Sequence, residues 1–275
     1  MRFGKRQILS ALFTLAFVGA VVMAALWAES AGDMGKAGGT RTTGDTENAE
    51  DTGSTEDTAD IPGSSGFMAD GAGNGDMPGR AGVDFDRLQI QNEDIYAWIT
   101  VPGTGIDYPV LQKRDAKDPY DNYYLDHQVD LSEGFPGVIY SQPGNQRDFT
   151  DSLTVLYGHN LKNGGMFSDL HEFEDEEFFL QNDKIMIYTP EKILTYEIFA
   201  AIDFSDALLT YEYDFTKNAE VWRHLADVRR CQGNFREGAE ISEGDRILVL
   251  STCYSDKPER RLLVEAVLAE EEAGN

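Results

Sequence analysis

The sequence predicts a mainly β domain, a barrel or a sandwich, carrying a few helices. Three observations point there. Short apolar or alternating runs recur from about residue 84 to residue 268, with turn residues between them. Only three segments in that region have helical periodicity. No internal repeat suggests a solenoid or an array.

Residues 84–91 read as a short amphipathic helix, and 94–101 then alternate as a strand. Pro102-Gly-Thr-Gly105 is a turn. Residues 106–111 form a second strand, in which Pro109 marks an edge or a bulge. Residues 122–125 and 137–140 read as further short β segments. The strand at 153–157 runs directly into Gly158-His159-Asn160. A short helix is expected over 175–182, then a hairpin of 184–189 and 192–203 around Pro190-Glu191. Residues 216–230 predict a helix capped by Thr216, with Ala219, Trp222, Leu225 and Ala226 on one face. Strands at 246–251 and 261–268 follow, and 270–275 read as a polar tail.

The amino-terminal third is organised differently. Arg2, Lys5 and Arg6 precede 21 uncharged residues, 8–28, that open with Ile8 and close with Ala28. That length spans a hydrocarbon core of roughly 30 Å as a helix. The basic flank before it and the acidic one after it predict a single-pass anchor, with the amino terminus cytoplasmic and the rest outside. A cleaved signal peptide is the competing reading. Its apolar core is ordinarily about 7–15 residues, and Ala28-Glu29-Ser30 offers a cleavage site. Residues 29–82 are rich in Gly, Ser, Thr, Asp and Glu and poor in large apolar side chains, so they predict a disordered acidic linker. As a coil it reaches on the order of 40 Å. The domains expected are thus 1–28, 29–82 and a folded extracellular part, 83–275.

The whole chain has 275 residues and a net charge of -26. Such a balance excludes nucleic acid as a partner, because phosphate binding needs a basic surface. No CxxC, HExxH, calcium-loop spacing or glycine-rich phosphate loop appears, so neither a metal nor a cofactor is expected.

Chemistry-bearing residues are few. Of the four histidines, His224 lies among charged neighbours in a predicted helix and reads as a surface residue, while His127 and His171 sit in acidic stretches. His159 follows a strand and a glycine and precedes a loop, a setting that holds a side chain beside open space. Cys231 ends a predicted helix and reads as a small apolar residue. Cys253 closes the run Ile247-Leu-Val-Leu-Ser-Thr-Cys253 and reads as a rim residue. If the last two strands pair as antiparallel neighbours, Cys253 meets an arginine, Arg260 or Arg261, at one sheet edge. A Cys231–Cys253 disulfide is the bland alternative.

The ordered set Tyr157-Gly-His-Asn160, Leu250-Ser-Thr-Cys253 and an arginine opening the last strand resembles the sortase family. The stretches 95–112, Asp121-Asn-Tyr-Tyr-Leu125 and Gly164-Gly-Met-Phe-Ser-Asp-Leu170, with the helix at 216–230, resemble its class B branch. The resemblance covers about residues 84–268. Gly134-Phe-Pro-Gly-Val-Ile-Tyr-Ser-Gln142 follows the family's theme only loosely, and the adjacent arginines leave two candidates, with Arg261 favoured because it directly precedes Leu-Leu-Val. The resemblance implies a closed barrel of about eight strands, with an amino-terminal helix and a helix inserted before the cysteine strand. It implies catalysis by Cys253, His159 and Arg261, with Asn160, Ser251 and Thr252 as substrate contacts. The implied reaction cuts an LPXTG-like sorting signal between Thr and Gly and transfers the surface protein to a peptidoglycan amine, on the outer face of a Gram-positive membrane. Pilin polymerisation on a lysine acceptor, plain peptide hydrolysis and a non-enzymatic surface protein are the alternatives.

Overall fold

The structure is a computed structural model that describes residues 83–274. The expected anchor, 1–28, and the expected linker, 29–82, lie outside the described residues. Among the described residues no helix is long and apolar enough to cross a membrane.

Helix α1 (Phe85–Gln91) is capped by Asp84, whose side chain accepts from the Arg87 amide. Strands β1 (Ile95–Thr100) and β2 (Asp107–Leu111) pair antiparallel across the Pro102–Gly105 turn. β3 (Ile139–Ser141) joins β2 in parallel at Val110, so Pro109 falls just before that pairing begins. Then come β4 (Leu153–Tyr157), a 3-10 turn at Ser168–Glu174 and helix α2 (Glu176–Gln181). The hairpin of β5 (Lys184–Tyr188) and β6 (Lys192–Ser205) follows. Two helices, α3 (Leu209–Glu212) and α4 (Asn218–Val228), precede β7 (Gln232–Phe235), β8 (Ile247–Cys253) and β9 (Arg260–Ala273).

The sheet order is β5-β1-β2-β3-β4-β8-β9-β6-β7, and β5 also pairs with β6. That extra pairing closes eight strands into a barrel and leaves β7 outside the ring, on the distal half of β6. Alternation along each strand sends one set of side chains into the lumen, among them Ile99, Val110, Leu156, Leu248, Leu250 and Val264. The opposite set, including Val155, Val249 and Leu263, forms a second core on the outer wall with Leu225 and Val228 of α4.

Four expectations need correction. Residues 122–125 do not extend: Leu125 N bonds Asn122 O and Asp121 caps Tyr123 N, which folds Tyr123–Leu125 into a 3-10 turn. The polar tail is mostly strand, because β9 stays paired with β6 as far as Ala273 opposite Lys192. Helix α4 begins at Asn218, since the Thr216 hydroxyl bonds Asp214 and caps nothing. Its buried face is Val221, His224, Leu225 and Val228, while Trp222 stays 38% exposed. Reading His224 as polar rotates the predicted face; in the fold it is fully buried against Glu265 of β9. β7 was not foreseen, because Gln-Gly-Asn-Phe has no apolar alternation.

Candidate active site

Two parallel strands end side by side. β4 and β8 run in register, with Leu156 opposite Leu250 and Tyr157 opposite Ser251. The ladder continues one step further, from Gly158 N to Ser251 O at 3.2 Å. Beyond it the Thr252 hydroxyl donates to Gly158 O at 2.9 Å. An added Cβ at Gly158 would lie 2.5 Å from Ile139 Cδ1 and 2.7 Å from the Phe167 ring, so only glycine fits the close approach before His159.

Cys253 is the last residue of β8, and the antiparallel register sets it directly opposite Arg261 of β9. Leu250 and Leu262 face the lumen, whereas Val249 and Leu263 face the outer core. By the same alternation Cys253 and Arg261 both project from the outer face. Arg261 Nη1 donates to the carbonyls of Pro258 (3.2 Å) and Arg260 (2.9 Å), which fixes the guanidinium against the β8–β9 connection. Arg260 is directed elsewhere, with Nε on the Asp203 carboxylate at 2.5 Å and Nη2 on the Asp203 carbonyl at 2.7 Å.

His159 is held from several sides. Its carbonyl accepts from Phe167 N at 3.0 Å, and its Nε2 donates to Leu125 O at 3.0 Å. A carbonyl can only accept, so in the neutral imidazole this bond puts the proton on Nε2. The exposed Phe135 ring stands edge-on to the imidazole, with centroids 4.8 Å apart. Gly137, at φ +67°, lies so close beneath Leu125 that an added Cβ would come within 2.4 Å of the same Leu125 oxygen.

Burial pushes the Cys253 thiol up, with the Arg261 charge pulling against it and Asp206 adding to it. Burial pushes His159 down, and Arg261 pushes it the same way; the Leu125 bond and the Asp126 charge oppose both. Both shifts favour the neutral forms, a thiol at Cys253 and an imidazole at His159. Tyr140 and Tyr157 stack alongside on the outer face at 5.5 Å, and burial holds both phenols neutral.

Of the residues proposed as substrate contacts, Asn160 donates its side-chain amide to Cys253 O at 3.0 Å. Thr252 is 1% exposed and Ser251 is 6% exposed. Asn160 and Thr252 thus tie strand ends together. Their side-chain donors are directed at main-chain carbonyls of this chain, Cys253 O and Gly158 O. Both cysteines are free thiols, and Cys231 Sγ is directed at Asp227 O (3.4 Å), so the disulfide alternative falls. Sequence reasoning missed Leu125, Phe135 and Gly137. The Gly-Phe-Pro-Gly turn was a visible signal of special backbone, but nothing local says that it packs under His159.

The sortase domain family model matches residues 99–269. Sortase B of Listeria monocytogenes is 32% identical over 170 residues, covering 62% of this chain and 67% of that protein. Among solved structures, Clostridium perfringens sortase B superposes with a TM-score of 0.61 at 31% identity, over 68% of this chain and 100% of that one. A Streptococcus pyogenes class B sortase involved in pilus biogenesis gives 0.58 at 26% identity, over 68% of this chain and 99% of that one. The eight-stranded closed barrel, the parallel β4–β8 pair and these matches agree: the chain belongs to the sortase family of cysteine transpeptidases, in its class B branch.

Proposed function

We propose that Cys253 is the nucleophile, His159 the proton-transfer group and Arg261 the oxyanion partner of an acyl transfer from a sorting signal to a peptidoglycan amine. The observation that carries this reading is the register pairing Cys253 with Arg261 on the outer face, at the strand end that β8 shares with β4 and His159. The Cys253 thiolate attacks the threonine carbonyl of an LPXTG-like signal, forming a C–S bond and a tetrahedral oxyanion. Arg261 stabilises that charge. The intermediate collapses as imidazolium His159 gives its proton to the departing glycine amine, leaving a thioacyl-enzyme and neutral imidazole. A wall amine then attacks, His159 takes its proton, and the thiolate leaves.

The membrane would be reached through the span from Ile8 to Ala28, with the amino terminus cytoplasmic, and residues 29–82 would tether the catalytic domain outside the cell. The substrates are surface proteins carrying the signal. A second reading, a pilin lysine as the acceptor, is favoured by one observation, the likeness to the S. pyogenes enzyme involved in pilus biogenesis.

The decisive test incubates the full chain with a quenched sorting-signal peptide, with and without a peptidoglycan-like amine or a pilin lysine peptide. Cleavage between Thr and Gly with transfer to the wall amine is expected, and Cys253→Ala is expected to abolish it. Cleavage surviving in Cys253→Ala would sink the mechanism, and preference for the pilin lysine would select the second reading.

The direction of the two shifts predicts the pH dependence. The reactive form needs Cys253 deprotonated and His159 protonated. With ordinary values near 8.5 and 6.5, that ion pair is already only about one part in a hundred of the neutral pair. Lowering His159 and raising Cys253 makes it scarcer. Its fraction is constant between the two pKa values and falls outside them. A kcat/KM profile is expected with a wide plateau, its acid limb below the ordinary imidazole value and its alkaline limb above the ordinary thiol value. A narrow bell centred on pH 7 would contradict a resting neutral pair.

A further inference from the structure

The carbonyl at the end of β8 is gripped by a network that the acyl-transfer reading does not use. Cys253 O lies 3.0 Å from Asn160 Nδ2 and 3.1 Å from His171 Nε2. Asn160 Nδ2 is also 2.9 Å from His171 Nε2 and 3.2 Å from Ser255 Oγ. On the other side of the imidazole, His171 Nδ1 is 2.5 Å from Glu174 Oε1.

The local fold explains why these groups meet. His171 and Glu174 belong to the 3-10 turn Ser168–Glu174. With three residues per turn, side chains at i and i+3 eclipse, so the carboxylate stands against the ring. Leu170 and Phe173 of the same turn are fully buried in the barrel core. Asp169 accepts from Gly105 N at 2.7 Å, which pins the turn to the β1–β2 connection. The Tyr254 ring meets the His171 ring edgewise at 5.1 Å. His171 is therefore rigidly aimed.

A carboxylate only accepts, so Glu174 fixes a proton on His171 Nδ1 and sets the ring's orientation. The opposite ring nitrogen then meets the Asn160 amide and the Cys253 carbonyl together. With the ring proton on Nδ1, Nε2 accepts from one Asn160 amide hydrogen, and the Asn160 amide also donates to Cys253 O. Asn160 directly follows His159, so one dipeptide supplies both the proton-transfer group and half of the grip on the cysteine.

We propose that Glu174, His171 and Asn160 act as a positioning relay, holding the main chain of Cys253 so that its thiol keeps its direction toward the scissile carbonyl. None of the three touches the reacting atoms. The proposal rests on the reading of Cys253 as nucleophile. Attack requires reacting atoms about 3–3.5 Å apart and aligned, and a misplacement of about 1 Å can cost on the order of 100-fold in rate.

The test uses the full chain carrying Cys231→Ser, so that Cys253 is the sole thiol. Measured quantities are kcat and KM for peptide transfer to an amine, the rate of Cys253 alkylation by iodoacetamide, and the thermal midpoint. His171→Leu is expected to lower kcat about 10- to 100-fold, with KM within about twofold and the midpoint little moved. His171→Gln keeps an amide oxygen that can accept from Asn160 Nδ2 and is expected to recover most of the loss. Asn160→Ala combined with His171→Leu is expected to lose less than the product of the single losses, as coupled neighbours do. Wild-type kcat in His171→Leu overturns the relay. So does a fall in kcat that tracks the thermal midpoint equally in the Leu and Gln variants, which marks a merely structural histidine. Activity persisting in Cys253→Ala would instead strike the nucleophile assignment, so the two failures are told apart.

Discussion

Arg261→Ala is expected to lower kcat/KM for sorting-signal transfer by about 10²–10³-fold, the usual cost of one lost oxyanion donor, while Arg260→Ala leaves it within about twofold. The two arginines are adjacent in sequence and opposite in role, because neighbouring residues on a strand point to opposite faces. Arg261 stands across from Cys253, and its charge bears on both the thiol and His159. Arg260 is spent on Asp203, which Lys257 also reaches at 3.1 Å. That pair is substantially exposed, so its removal costs roughly 0–1 kcal/mol of stability and no transition-state contact. Arg261→Lys is not expected to rescue, since an ammonium lacks the planar fork held by the Pro258 and Arg260 carbonyls. Steady-state kinetics on the three variants decide the matter. An Arg260→Ala loss as deep as that of Arg261→Ala would reverse the assignment.

His224→Ala is expected to lower the free energy of unfolding by about 3–5 kcal/mol, the cost of stranding one member of a buried polar pair. His224 Nε2 and Glu265 Oε1 are 2.9 Å apart, and both side chains are fully buried. The rings of Tyr213, Phe215 and Phe204 surround the imidazole at 5.1, 5.6 and 5.8 Å. Among the described residues, His224 Nδ1 and Glu265 Oε2 have no hydrogen-bond partner, so the pair already carries a desolvation cost. Truncating the histidine leaves Glu265 without its one bond and opens a cavity under α4. Glu265→Gln keeps a polar contact and is expected to cost less. Replacing both residues by apolar side chains of similar volume is expected to restore most of the loss, because no buried polar group is then left behind. Urea titrations of the four proteins test this. A His224→Ala midpoint equal to wild type would show that the pair does not dock the helix.

Periodicity was a sound guide wherever burial alone chose the residues. Leu153–Tyr157 matches its predicted bounds, and the last two strands were legible because alternate side chains fill the lumen and the outer core. Legibility failed where a polar residue is buried or an apolar one is not. His224 looked like a surface histidine, and its partner lies 41 residues away on another element. Tyr123–Leu125 looked extended because turn hydrogen bonds leave no trace in an apolar pattern. β7 has no pattern at all and exists because β6 continues past the end of β5 and offers it an edge.

The sequence by itself determined the class of the chain, because the family's marks are short local runs whose residue types and order survive without coordinates. It named a histidine after one strand, a cysteine ending another and an arginine opening a third. It did not choose between Arg260 and Arg261 beyond strand phase. It also did not see that Asn160 and His171 converge on the Cys253 carbonyl, since those contacts span 93 and 82 residues of chain. Register, closure and the direction of each side chain are consequences of long-range pairing. Only the folded barrel brings those distant residues within hydrogen-bond reach.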